Sequence, residues 1–194
     1  MKTRESGMPE EDRWESFFDP EMILRDLGLN RDCQTVVDLG CGYGTFSIPA
    51  ARQISGAVHA IDIDPQMIEA CREKAAAAGL SNIICQQRDF TVEGTGLGDQ
   101  TADFVMLFNI LHAENPHDLL KEAHRILIPG GKVGVIHWNY DPTTPRGPSM
   151  SIRPRPEQCQ AWIQNAGFDL MKPMLQFPPY HYGMVGQKIE TRKK

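Results

Sequence analysis

Three glycines at alternating positions, directly after a β-branched pair, constrain this chain more than any other feature: residues 36 to 44 read VVDLGCGYG. Thr35, Val36 and Val37 favour a strand. Gly40, Gly42 and Gly44 permit a tight turn and close approach of a ligand to the backbone. Beyond the turn, Phe46, Ile48, Ala50 and Ala51 mix with Ser47 and Arg52 as in a helix. Strand, glycine turn and helix make one half of a nucleotide site. The dinucleotide fingerprint G-x-G-x-x-G requires its third glycine where Thr45 stands, so the spacing here is G-x-G-x-G instead.

The pattern then repeats along the chain. AVHAIDIDPQMIEACREKAAAAG predicts a second strand ending in Ile61-Asp62 and a helix from Asp64-Pro65 to Gly79, with Asp64 as its cap. Asp62 falls about 20 residues past the glycine turn, the position of a ribose-binding acid. A strand-end carboxylate buried without such a partner is costly. NIICQQRDF predicts a third strand ending at Asp89-Phe90, and the apolar run ADFVMLFNILH a central parallel strand ending at Asn109. A helix through HDLLKEAHRIL, a turn at Pro129-Gly130-Gly131 and a fifth strand follow. Strands alternating with helices imply an α/β, doubly wound, mostly parallel sheet with helices on both faces.

The glycine stretch resembles the motif of class I (Rossmann-like) S-adenosylmethionine (SAM) dependent methyltransferases, hydrophobic-hydrophobic-D/E-x-G-x-G-x-G. Asp62, Asp89-Phe90 and the turn Leu127-Ile128-Pro129-Gly130-Gly131 match further signatures of that family in the same order. The resemblance runs from about residue 33 to 188 and implies seven strands in the order 3-2-1-4-5-7-6, the seventh antiparallel. It also implies a methyltransferase that moves a methyl group from SAM to a small molecule by in-line displacement and releases S-adenosylhomocysteine (SAH). By the same resemblance Asp38, with the backbone around Gly40, Cys41 and Gly42, holds the methionine end of SAM, and Tyr43 and Gly44 also belong to the cofactor site. Asp62 binds ribose, Ile63 and Met67 pack near adenine, Asp89 and Phe90 fix the base, and Asn109 contributes at the end of strand four.

For the acceptor, His112 and His137 stand near the ends of strands four and five, where a general base would be useful; a histidine merely hydrogen-bonded at a strand end is the alternative. Trp138 and Tyr180 are candidates for the acceptor mouth. Residues 139 to 156 carry five prolines and three arginines, which exclude a regular helix or central strand. Arg146 and Arg153 in this insertion can clamp an anionic acceptor; a solvated loop is the other reading. Phe177-Pro178-Pro179-Tyr180 imitates the N/D-P-P-Y box of methyltransferases acting on nucleic acid or protein, but lies far downstream of strand four.

Residues 1–32 form a separate N-terminal segment with a helix started by Asp19-Pro20 and ended near Gly28. Either that helix only packs, or Trp14, Phe17 and Phe18 close over the ligand as a lid. Residues 33–188 make the methyltransferase domain, and 189–194 a solvated tail. A net charge of -5 argues against a nucleic-acid partner. Five scattered cysteines without a C-x-x-C pair fit free thiols better than a disulfide framework or a metal site. No apolar run reaches a membrane span and no signal peptide is recognisable, so a cytoplasmic location is expected. A homodimer suits so small a methyltransferase, which has no separate substrate domain. Two other readings stay open: a non-catalytic SAM-binding or interaction module, and a nicotinamide-dependent oxidoreductase.

Overall fold

The computed structural model describes residues 9–189, so the charged start of the chain and the end of the tail lie outside the described residues. Its elements in order are α1 (Glu11–Glu15), α2 (Pro20–Leu27), β1 (Thr35–Leu39), α3 (Ser47–Gln53), β2 (Ala57–Asp62), α4 (Pro65–Ala77) and β3 (Ile83–Gln87). Then come α5 (Phe90–Glu93), β4 (Ala102–Phe108), α6 (Pro116–Ile126), β5 (Leu127–Trp138), α7 (Pro156–Asn165), β6 (Phe168–Phe177) and β7 (His181–Lys188). The sheet order is β3-β2-β1-β4-β5-β7-β6, as expected. β7 runs antiparallel to both of its neighbours, and the other pairings are parallel.

Local chemistry fixes the element ends. The Asp19 carboxylate accepts the Met22 amide at 3.1 Å, Pro20 opens α2, and Gly28 at φ +89° closes it. Asp64 caps α4 in the same way, accepting the Gln66 amide at 2.8 Å. The Pro129-Gly130-Gly131 turn is absorbed into β5 as an irregularity. The register steps from Ala102 opposite Leu127 to Phe104 opposite Lys132, so the extra residues leave the ladder.

Side chains alternate across the central strands and feed two cores. Val37, Val105, Leu107, Val133 and Val135 face Leu119, Leu120, Ala123 and Ile163 of α6 and α7. On the other face Val36, Phe104, Met106 and Ile136 meet Ile23, Leu24 and Leu27 of α2 and Ala50 of α3. Each fully buried leucine or isoleucine contributes about 1.5–3 kcal/mol to this packing. Both faces of the central strands are therefore dry, and the loops after β1 and β4 share one edge where polar groups collect.

Candidate active site

The first strand and the glycine turn build one wall of a cleft. Gly40, Gly42 and Gly44 all have positive φ (+78°, +52° and +78°), a backbone that side chains other than glycine resist. The Gly40 and Cys41 amides donate to the Ile61 carbonyl at 2.8 and 3.1 Å, which ties the turn to the end of β2. The Gly42 amide donates to one carboxylate oxygen of Asp62 at 2.9 Å, and the Asp64 amide to the other at 3.0 Å. Asp62 thus braces the turn from the neighbouring strand, and its burial pushes its pKa up.

Asp38 sits deeper. Its side chain is buried, accepts the Ser47 hydroxyl at 2.6 Å, and is pushed by desolvation up to about 7. Across the cleft, Asn109 adopts φ +58° at the end of β4, and neither polar atom of its buried side-chain amide has a partner among the described residues. The buried Thr45 hydroxyl is likewise unpartnered. Both residues line the same cleft.

Asp38, Gly40, Cys41, Gly42, Asn109, Trp138 and Arg146 line one cleft of about 630 Å³, open mouth included. Sequence reasoning missed Thr45, Phe46, Phe108, Ile110 and Gly147, which also line it, and offered Trp14 only as part of a lid. Their position beside the glycine turn and Asn109 was the available signal. The aromatic members interlock: Phe46 meets Phe108 edge-on at 4.7 Å between ring centroids, and Trp14 approaches Trp138 at 6.4 Å.

Other expected residues stand apart from this cleft. Tyr43 donates its hydroxyl to the Pro9 carbonyl at 3.1 Å, and Gly44 faces Cys71. Ile63 is exposed and Met67 half-buried beside Asp62, at the carboxyl end of β2. Asp89, at the end of β3, caps α5 by accepting the Thr91 amide and hydroxyl at 3.2 and 2.6 Å, while Phe90 packs on the core.

Four residues expected at the acceptor, His112, His137, Tyr180 and Arg153, are not among those that line this cleft. His137 is fully enclosed, neither ring nitrogen has a hydrogen-bond partner, and burial holds its pKa well below the usual imidazole range. Its ring faces His112 at 5.6 Å and Tyr182 at 6.3 Å, and neither histidine is among the residues that line the cleft. Tyr180 stands behind the wall, 6.3 Å from Trp138 and 5.8 Å from Phe17. Arg153 is buried under its own loop, where carbonyl oxygens take its donors, so it is no clamp on an acceptor.

Among the described residues no helix is long and apolar enough to cross a membrane, and no group of three or more histidine, cysteine, aspartate or glutamate side chains is placed to hold a metal. The five cysteines are free.

A family model described as a methyltransferase domain matches residues 36–131. The chain is 35% identical to aklanonic acid methyltransferase DauC of Streptomyces sp. (strain C5), with 77% of each chain covered. It is 31% identical to demethylmenaquinone methyltransferase of Lactobacillus johnsonii, covering 56% of this chain and only 45% of that protein. The fold superposes on a SAM-dependent methyltransferase from Aquifex aeolicus with a TM-score of 0.81, 24% identity, and 93% and 94% of the two chains covered. The chain belongs to the class I S-adenosylmethionine-dependent methyltransferases.

Proposed function

We propose that the acceptor is a small molecule with an apolar, aromatic body and an anionic group, held against the glycine turn with its charge toward Arg146. The observation that carries this reading is the cleft's composition. Trp14, Phe46, Phe108 and Trp138 surround it, Arg146 stands among them, and neither of the two candidate histidines reaches it. An acceptor that is already ionised needs no protein base, only alignment and exclusion of water. That the relative DauC is named for an acid acceptor agrees with this.

The chain's residues fit the cofactor. SAM supplies a methyl group activated on a sulfonium. The Asp38 carboxylate, buried and accepting the Ser47 hydroxyl, suits the ammonium of the methionine end. The unpartnered Asn109 amide and Thr45 hydroxyl offer further hydrogen bonds, and the Gly40–Gly42 backbone allows close contact. Asp62 keeps acceptor capacity for ribose hydroxyls, Ile63 and Met67 offer apolar surface to adenine, and Asp89 and Phe90 bound the same end. Residues 9–18 act as a lid: Trp14 enters the cleft, Tyr43 holds Pro9, and Lys74 pairs with Glu11 and Glu15.

The test is calorimetric titration with SAM, SAH and NADH, repeated on Asp62→Ala, followed by a turnover screen of aromatic hydroxy and carboxylic acids with SAH release as readout. SAM binding weakened by the substitution, with turnover confined to ionised aromatic acceptors and a KM raised by Arg146→Ala, supports the reading. Turnover of neutral or aliphatic acceptors alone overturns it. SAM binding without any turnover favours the binding-module alternative.

A further inference from the structure

Arg153 is a buried cation whose hydrogen-bond partners are neutral oxygens of a single loop. Its Nε donates to the Pro148 carbonyl at 3.0 Å, Nη1 to Asn139 O, Asp141 O and Thr144 Oγ1 at 3.0, 3.0 and 2.6 Å, and Nη2 to Arg146 O and Pro148 O at 3.2 and 2.9 Å. Its own amide donates to Ser149 O at 3.0 Å. A guanidinium placed this deep without a bonded carboxylate is expensive to bury. Here the planar fork gathers carbonyls from both limbs of the segment 139–155, work that needs donors pointing in fixed, divergent directions.

The loop so gathered forms part of the cleft. Arg146 and Gly147 line it, and the Gly147 backbone, at φ +116°, lies flat on Trp138. A β-carbon there would come within 2.7 Å of Arg153 Nη2 and 2.9 Å of Trp138 Cγ. Four prolines and the cation–π contact of Arg155 on Tyr140, at 3.9 Å, limit the loop's freedom further.

We infer that Arg153 is a positioning residue that fixes the segment 139–155 as a preformed wall of the acceptor end of the cleft, and so sets acceptor affinity without touching the acceptor. This rests on the reading of the cleft as the acceptor site. The wall is organised before any ligand arrives, which lowers the ordering cost of binding. Arg146, carried on the same carbonyl that Arg153 holds, owes its location to it.

The experiment compares the full-length protein with Arg153→Lys, which keeps the charge and loses the fork, and with Gly147→Ala, which keeps the guanidinium but crowds both Arg153 Nη2 and Trp138, so that the loop must shift. Three readouts are taken: SAH affinity by calorimetry, binding of naphthoate to the SAH complex, and the rate of trypsin cleavage. The segment has one bond open to trypsin, Arg146–Gly147, because prolines follow Arg153 and Arg155; the lysine variant adds none. Both variants are expected to weaken naphthoate binding about tenfold, with SAH affinity within about twofold, and to speed cleavage at Arg146 several-fold. If the wild type holds naphthoate and both variants hold it equally well, the inference is overturned, whatever the cleavage rate. Loss of SAH affinity in parallel also overturns it, since the arginine would then support the whole cleft. No naphthoate binding by the wild type overturns the aromatic-anion reading instead, and unchanged trypsin rates in that case overturn the role of Arg153.

Discussion

The Asp38 carboxylate and the Ser47 hydroxyl meet at 2.6 Å across the glycine turn, joining the end of β1 to the first residue of α3. This one hydrogen bond does not repay the burial of the charge, so the carboxyl is held at about 7. A ligand ammonium would bind the ionised form and lower that value. The free protein is protonated at Asp38 below about pH 7, so affinity for SAH should fall roughly tenfold per pH unit below it and level off above. Calorimetry between pH 5.5 and 8.5 checks this; a flat profile would remove Asp38 from the ammonium site. Asp38→Asn should bind SAH weakly at every pH in that range. The folded value also lies above the unfolded one, so stability falls as pH rises from about 4 to about 7. The asparagine variant should then be more stable than the wild type at pH 8, by on the order of 2 kcal/mol without ligand.

Glu122 gives the opposite sign. Its carboxylate accepts the Thr95 amide and hydroxyl, both at 2.7 Å, and two Arg125 donors at 2.8 and 2.7 Å. The Arg125 guanidinium, first among the causes, pulls the pKa down to about 2. Such a group stabilises above its unfolded value near 4.5, and that contribution is lost as pH falls toward about 2. Glu122→Gln should cost about 2 kcal/mol at pH 7 and little at pH 2.5, measured by urea unfolding at the two values. An equal loss at both would mean that packing, not charge, holds the loop after α5.

The strand order and the glycine-turn wall of the cleft were legible because backbone demands write themselves into residue type. Gly40, Gly42 and Gly44 are needed for positive φ, Asp19 and Asp64 for caps, and the apolar run of β4 for a strand covered on both faces. The aromatic and arginine wall was not, because it depends on which way side chains turn. His137 and Trp138 are consecutive on β5, so their side chains point to opposite faces; Trp138 reaches the cleft and His137 is sealed among Tyr182 and His112. Arg146 and Arg153 look alike in a proline-rich loop, yet one lines the cleft and the other is buried by its own loop. No local pattern separates them, since the difference arises from carbonyls that only the folded loop assembles.

Gly44 tests whether the turn tolerates a side chain at all. At φ +78°, an added β-carbon would lie 2.8 Å from Cys71 Sγ on α4, a buried side chain with little room to retreat. Gly44→Ala should therefore destabilise the protein by about 1–3 kcal/mol and weaken SAH binding, because relief requires the turn to move away from α4. Cys71→Ala removes the clash but not the backbone strain, so the double variant should recover only part of the loss. Full recovery of stability in thermal unfolding would show that the positive φ is not costly at this position.

Trp14 is the point where the N-terminal segment enters the cleft. Its ring meets Phe18 at 4.9 Å and Phe17 at 6.4 Å, and both of those pack onward, Phe17 on Trp138 at 5.3 Å and Phe18 on His181 at 4.5 Å. The anchors at either side are the Tyr43–Pro9 hydrogen bond and the Lys74 pairs with Glu11 and Glu15. The surface ion pairs are worth little each, so the aromatic contacts do most to hold this segment in place. Trp14→Ala should raise the dissociation rate of SAH several-fold and leave the melting temperature of the ligand-free protein within a few degrees. Tyr43→Phe, which keeps the ring and removes one hydrogen bond, should have a smaller effect of the same sign. Stopped-flow displacement of bound SAH measures both; an unchanged off-rate in Trp14→Ala would reduce α1 to a packing element.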